Sequence, residues 1–436
     1  MNFLEGREKI AFLRKKLNIS TEELATENLT KDYLQLLESG NSIISKDVSK
    51  LLICRFKQIA LEKELNLDIE LDENFFLRTK QEEAKRYCVN HLNTNSSIDE
   101  LEILLTIAKE YNLDFIKAQI YTKIGDYYFD INNYNTSLEN YFTSLNLLNS
   151  INSDTTSFST YIYKKIGSCY YSLLDYYNAI SYFSKCKSIA EKISQTSLTN
   201  TCIYNLSLCY MNIKEYDKSI ELSKIFINSL DNDSDSDLMP NYYIYAKSVQ
   251  ASCYSLKGSI SDAIEILESI CSSDKPIDSK VLAHIYTNLS SFYTEDNQLD
   301  KATLYSKKAQ DIRSKIDIEK LPHTLIEKAS IYMKKGLYNN ALSILNKVVI
   351  KSKETNNNYC LMNAYELLKE IYINLNDYKR IEEVIQNIIG LASCTNNHIL
   401  SMKSYNELLR LYSNYNNFKT FLEYNSKMDF VLKTIT

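Results

Sequence analysis

The residues of this chain best suited to bind a metal or attack a carbonyl are ten cysteines and four histidines, and their spacing suits neither task. No Cys-x-x-Cys pair occurs, and no Cys/His cluster has zinc spacing. Cys169, Cys209 and Cys253 each stand directly before a tyrosine (Tyr170, Tyr210, Tyr254), which makes them repeat positions that read as small buried hydrophobes. His91, His284, His323 and His398 are scattered and neighbour no nucleophile motif. There is no Gly-x-Ser-x-Gly elbow, phosphate loop or dinucleotide fingerprint. The run Asp231-Asn-Asp-Ser-Asp-Ser-Asp237 alternates carboxylates as a calcium loop does, but lacks that loop's glycine and terminal glutamate, so an acidic solvated loop is the plainer reading. No metal, no cofactor and no enzymatic activity are expected. What remains is recognition by polar and charged side chains, which donate and accept hydrogen bonds without breaking covalent ones.

The elements that must position these residues announce themselves by period. Tyr128, Tyr170, Tyr210, Tyr254, Tyr293, Tyr332, Tyr372 and Tyr412 recur at steps of 39 to 44 residues. A period near 40 means stacked supersecondary units, and such arrays make extended binding surfaces more often than active sites. Three residues before the first six tyrosines stand Gly125, Gly167, Ser207, Ala251, Ser290 and Ala329; nine after them stand Ser137, Ala179, Ser219, Ala263, Ala302 and Ala341. Between lie turn signals such as Asn132-Asn133, Asp175, Gly258, Asp296-Asn297, Gly336, Asn376-Asp377 and Asn416-Asn417. This is the pattern of a helical hairpin: two helices cross closely only where side chains are small, and the tyrosine near the end of the first helix packs into the core.

The frame, clearest in Tyr121-x-x-Ile124-Gly125-x-x-Tyr128 and Tyr163-x-x-Ile166-Gly167-x-x-Tyr170, resembles the tetratricopeptide repeat. The resemblance covers residues 115–436 as eight units. The last two depart from it, with Lys369 and Leu409 at the first small position and Ile381 and Phe421 at the second, as terminal repeats do. Three prolines and seven glycines in 436 residues favour long uninterrupted helices. No apolar run is long enough for a membrane span, and the charged opening (Glu5, Arg7, Glu8, Lys9) lacks a signal region, so a cytoplasmic protein is expected.

The first sixty residues break the period. Arg7 to Leu17 forms an amphipathic pattern, Ser20 with Glu23 a capping box that opens a short helix, and Thr30 a cap for a helix carrying Tyr33, Leu34 and Leu37. Glu38-Ser39-Gly40-Asn41 ends that helix, and Ser45 to Ile59 makes another. The string Leu13-Arg14-Lys15-Lys16-Leu17-Asn18-Ile19-Ser20-Thr21-Glu22-Glu23-Leu24-Ala25, closing at Glu38-Ser39-Gly40, resembles an XRE/Cro-type helix-turn-helix. That resemblance places the helix after Thr30 in the major groove, with Thr30, Lys31 and Gln35 toward bases. Asp32 departs from the family pattern, since a carboxylate repels phosphate. Residues 1–60 carry a net charge of +2 against −7 for the remainder, so any phosphate contact is local: Arg7, Arg14, Lys15, Lys16, Lys31, Lys46 and Lys50. The alternative is a helical bundle used for protein contacts.

A helix-turn-helix (1–66), a linker with a leading helical pair (67–114) and long-period repeats (115–436), in that order, resemble the RRNPP group of peptide-responsive regulators (Rgg, Rap, NprR, PlcR, PrgX), with an opening similar to the clostridial RstA branch. The expected fold is all-α, an XRE/Cro-like domain followed by a right-handed repeat superhelix. The resemblance implies a short signalling peptide bound on the concave face, DNA as a second partner, and a homodimer matched to two half-sites. Family members carry an asparagine five residues before the repeat tyrosine, and this chain matches at Asn205 and Asn288. Each could instead make an interhelix hydrogen bond. Further inner-face candidates are Lys164, Ser168, Tyr204, Tyr245, Ser252, His284, Thr287 and Ser291. Phe418, Phe421, Tyr424, Met428 and Phe430 either seal the array or form the dimer contact.

Overall fold

A computed structural model of the chain describes residues 2–65, 69–92, 97–151, 154–230, 239–272, 277–414 and 418–435. The acidic run Asp231–Asp237 and the Asn416-Asn417 turn lie outside them. The described residues are all-helical, with one isolated bridge between Thr26 and Leu29. None of their helices is long and apolar enough to cross a membrane. The chain divides into two compact units, residues 1–124 with 142–153 and residues 125–141 with 154–436.

The first unit begins with α1 (Gly6–Lys16), α2 (Thr21–Leu24), α3 (Lys31–Ser39) and α4 (Lys46–Glu62). Local chemistry sets each boundary. Ser20 accepts from the Glu23 amide while Glu23 reaches back to the Ser20 N–H, the reciprocal cap expected of that tetrad. Thr30 and Ser45 cap α3 and α4 through the amides of Tyr33 and Val48. Gly40, at φ +80°, ends α3 in the left-handed region that glycine alone enters without strain. Ile10, Leu13, Leu17, Leu24, Leu34, Leu37, Leu52 and Phe56 form one core with Phe75 and Phe76. Lys9 is buried beneath it, donating to the Phe75 carbonyl at 2.6 Å and paired with Glu83 at 2.7 Å, which ties α1 to α5 (Lys80–Leu92). Helix α6 (Ile98–Glu110) packs on α5.

Eight hairpins follow: α7 (Asp114–Asp130) with α8 (Tyr134–Asn149), α9 (Thr156–Ser172) with α10 (Tyr176–Lys192), α11 (Thr196–Asn212) with α12 (Tyr216–Leu230), α13 (Met239–Leu256) with α14 (Ile260–Cys271), α15 (Ser279–Glu295) with α16 (Leu299–Ile316), α17 (Leu321–Lys334) with α18 (Tyr338–Glu354), α19 (Asn358–Asn374) with α20 (Tyr378–Cys394), and α21 (His398–Asn414) with α22 (Phe418–Ile435). From α9 to α19, each first helix packs on the next hairpin's first helix. In a curved array the layer with the shorter arc brings its elements closer, so the first helices form the inner layer.

The tyrosine of each period has a backbone role that explains its constancy of place. In seven hairpins its carbonyl accepts from the amide five residues on, from Asn133 to Tyr128 (2.8 Å) through Asp377 to Tyr372 (3.0 Å). The residue between is left-handed: Asn132, Leu174, Lys214, Gly258, Asn297, Gly336 and Asn376. This is a Schellman closure repeated at these seven turns. The side chains are less buried than the core role expected for them, because only Tyr293 is enclosed and the others are half-buried. Three of them stack on the residue twelve positions later, Tyr170 on Tyr182 at 5.5 Å, Tyr293 on Tyr305 at 5.6 Å and Tyr412 on Tyr424 at 5.7 Å. The small positions are tight. A Cβ on Gly125 would meet the Tyr141 ring at 2.7 Å, and one on Gly167 the Phe183 ring at 2.8 Å. At the end of the array Phe421, Tyr424 and Met428 pack on Ile381, Ile385, Leu408 and Leu409, while Phe430 is exposed.

The second unit also closes on itself. Asn132 donates to the Thr355 carbonyl (2.8 Å), Asn135 to Cys394 (2.8 Å), Asn358 to Ser172 (3.0 Å) and Asn397 to Leu174 (2.9 Å). Leu174 and Tyr176 join the core of Leu361, Met362 and Leu400. The first two hairpins are thereby clasped to the loops that open α19 and α21.

Candidate functional site

On each first helix, positions nine, five and two residues before the tyrosine lie on one stripe, since steps of four and three keep a single helical face. On α15 these are His284, Asn288 and Ser291; on α17 they are His323, Glu327 and Ser330. All six are half-buried, between core residues that alternate with them (Val281, Ile285, Leu289, Ile326, Ala329).

The stripe converges in the middle of the array. The Asn288 amide nitrogen lies 3.3 Å from His284 Nε2, a donor meeting a neutral ring nitrogen. Tyr245 on α13 meets the His284 ring edge-on at 5.4 Å, and His323 stacks on Tyr359 of α19 at 5.4 Å. Behind them Arg313 of α16 is only 4% exposed, and its Nη1 donates to the Lys320 carbonyl (2.7 Å) and Thr324 Oγ1 (2.9 Å). Its Nε has no hydrogen-bond partner among the described residues.

Burial between neighbouring helices controls the charges. Burial, reinforced by Arg313 and Lys320, pushes His284 down to about 4. Burial, then Lys320, Arg313 and His284, push His323 to about 3, so both rings are neutral at pH 7. Glu327 is driven the other way, up to about 7, by burial and by Glu295, with the Ser291 hydroxyl acting against the rise. No described cation forms an ion pair with Glu327. The middle of the stripe is thus polar, with both rings neutral at pH 7 and no described cation paired to Glu327.

Six of the eight peptide candidates lie on the stripe: Ser168, Asn205, Tyr245, His284, Asn288 and Ser291. Asn205 makes no side-chain hydrogen bond to a described residue, whereas Asn288 has only His284. Lys164 and Tyr204 stand one residue off the stripe, a turn of roughly 100°. Lys164 lies over the Tyr161 ring at 4.9 Å with its charge disfavoured by burial, and Tyr204 packs with Ile203, Phe226 and Ala246. Thr287 turns inward, its hydroxyl donating to the Ala283 carbonyl. Ser252 is half-buried at the position two before Tyr254. Sequence reasoning missed Glu327 and His323, although each occupies the register of a residue it had chosen, Asn288 and His284.

In the first unit Lys15, Lys16, Gln35, Lys46 and Lys50 are exposed. Arg14 is not a free phosphate ligand, because its guanidinium grips Glu38 (2.9 and 3.1 Å) and the Ile19 carbonyl (3.2 Å). Lys31 pairs with Glu22, and Arg7 with Glu5. The Thr30 hydroxyl is engaged as the α3 cap.

Stacked hairpins with a lined inner layer define a tetratricopeptide superhelix, and residues 161–193 and 322–349 match the family model described as Tetratricopeptide repeat. Among solved structures the chain is similar to NprR in complex with its cognate peptide NprX, at 15% identity over 81% of this chain and 98% of that one, TM-score 0.52. It is also similar to the apo form of the quorum sensor NprR from B. thuringiensis (18%, 81% and 99%, TM-score 0.46) and to a Rap protein complexed with competence and sporulation factor (12%, 98% and 98%, TM-score 0.41). What the chain shares with NprR is the fold. No curated protein sequence matches the chain.

Proposed function

We propose that this chain is a non-enzymatic, cytoplasmic, peptide-responsive regulator: the inner layer of residues 115–436 binds an extended peptide, and residues 1–66 are a DNA-binding output module that works as a homodimer. The observation that carries the sensing half is the stripe itself. It brings amide, hydroxyl and imidazole groups from successive units to one face, with Asn205 unengaged, and an extended ligand needs such partners for its backbone. Calorimetry with short candidate peptides tests it, comparing wild type with Asn205→Ala. Equal affinity removes Asn205 from the site.

For the output half, a salt-sensitive mobility shift on DNA upstream of the gene, weakened by Lys31→Ala, is expected. A second reading has support of its own. Lys31, Arg14 and Arg7 are all neutralised within the bundle, and Asp32 stands in the first turn of α3. That surface suits contact with a response regulator or kinase, as in a Rap-like protein. Absence of any DNA shift, with capture of such a partner by residues 1–66, favours it.

A further inference from the structure

Glu327 stands five residues before Tyr332, in the register of Asn205 and Asn288, one hairpin beyond Asn288. Every other charged group at this position has a partner or an exposed setting. Lys165, five before Tyr170, pairs with Asp126 at 2.8 Å, and Glu407, five before Tyr412, pairs with Lys369 at 2.8 Å and is half-exposed. Glu327 has neither. Facing it are Ser291 and Glu295 from α15, Tyr359 from α19 and, further off, Arg313 from α16. On its own helix His323 is neutral. A carboxyl in this setting ionises at a cost unless a cation pairs with it, and no described cation does.

We propose that Glu327 is a specificity-determining residue that selects ligands carrying a cationic group, a lysine or arginine side chain or a free N-terminal ammonium, at the point where the ligand passes from α15 to α17. The inference rests on the peptide-binding reading above. Asn288 holds the ligand backbone one unit earlier, and Glu327 reads the group that follows. Because the carboxyl of the free protein holds its proton to near pH 7, binding of the cation releases that proton, and affinity rises with pH until Glu327 is ionised. His284 and His323 stay neutral from pH 6 to 8 and add nothing to this dependence.

The probe is a set of octapeptide libraries, amidated, with lysine, arginine, norleucine or glutamate fixed at each position in turn, each with an acetylated or a free N-terminus. Affinity selection on the full chain, read by mass spectrometry, is expected to retain cationic peptides with the charge at one position or at the free N-terminus. The two arms distinguish a side chain from a terminus. Glu327→Gln should still retain peptides but lose the charge preference. For a selected peptide, calorimetry should show affinity about tenfold weaker at pH 6 than at pH 8 in wild type, and this wild-type measurement stands even where the variant fails to fold. Retention without charge bias, a preference for glutamate, or a bias unchanged in Glu327→Gln overturns the assignment while leaving peptide binding intact. Retention of no peptide at all overturns the peptide reading and this inference with it.

Discussion

Asn397 donates from Nδ2 to the Leu174 carbonyl at 2.9 Å, joining residues 223 positions apart, while its Oδ1 accepts from the Leu400 amide at 3.0 Å. One buried side chain thus caps α21 and closes the clasp. Asn397→Asp keeps the cap acceptor but removes the donor and turns an oxygen toward a carbonyl. The expected loss is about 1–3 kcal/mol for a buried unpaired group, seen as a lower Tm. Combined with Asn358→Ala, it should raise the radius of gyration in small-angle scattering. An unchanged radius and Tm would show the clasp to be dispensable.

Gly167→Ala should destabilise by about 1–3 kcal/mol through overpacking, because the new methyl meets the Phe183 ring at 2.8 Å. Gly390→Ala, in the body of α20 where a Cβ meets nothing within 4 Å, should stabilise by about 0.5–1 kcal/mol through helix propensity. Calorimetric unfolding of the two variants should move in opposite directions. Shifts of the same sign would refute the packing account.

His284 and His323 are both held neutral, with their folded values below the ordinary one. The unfolded chain then binds more protons below about pH 6.5, so the stability they contribute is complete above that pH and is lost as pH falls toward 4 and 3. The double variant His284→Gln, His323→Gln should therefore show a flatter decline of Tm between pH 6.5 and 5 than wild type. Parallel declines would mean that the rings titrate normally.

Glu327 has the opposite sign. Its folded value is raised, so the fold loses stability as pH climbs from the ordinary glutamate range to about 7 and no more beyond it. Glu327→Gln should gain more Tm over wild type at pH 8 than at pH 5. A gain independent of pH would locate the effect elsewhere.

Arg14 and Lys46 separate a structural cation of the first unit from one proposed to contact a partner. Arg14→Ala strands Glu38, itself half-buried, and opens the α1–α3 contact, so it should lower Tm in the absence of any partner. Lys46→Ala, at an exposed first turn, should leave Tm within about 0.5 kcal/mol of stability and alter only binding. Equal stability of both variants would remove the structural role from Arg14.

Much of the fold was legible because turn chemistry is local. The left-handed Asn132, Gly258, Asn297, Gly336 and Asn376 fall where asparagine or glycine marked a turn, and Ser20, Thr30 and Ser45 cap the helices they precede. Leu174 and Lys214 adopt the same conformation without the residue type that signals it. The sequence carries the period of the stripe more clearly than its phase, so Tyr204 and Asn205, neighbours about 100° apart on one helix, look alike in sequence. Glu327 escaped because resemblance directed attention to asparagine at that register, and a carboxyl's lack of a partner is visible only once its neighbours are in place. Arg14 looked like surface charge because Glu38 is 24 residues away in sequence. The clasp has no local signature at all, for it joins loops that the sequence separates by 186 to 259 residues.

On the peptide-binding reading proposed above, the register from Asn205 on α11 through Asn288 to Glu327 on α17 would also act as a ruler. It crosses three steps between neighbouring inner helices, each about 8–10 Å. A strand rises about 3.3 Å per residue, so one side chain of the protein meets roughly every third residue of an extended ligand. A chain of about eight residues reaches from the first amide to the carboxyl, and one of about four cannot touch both.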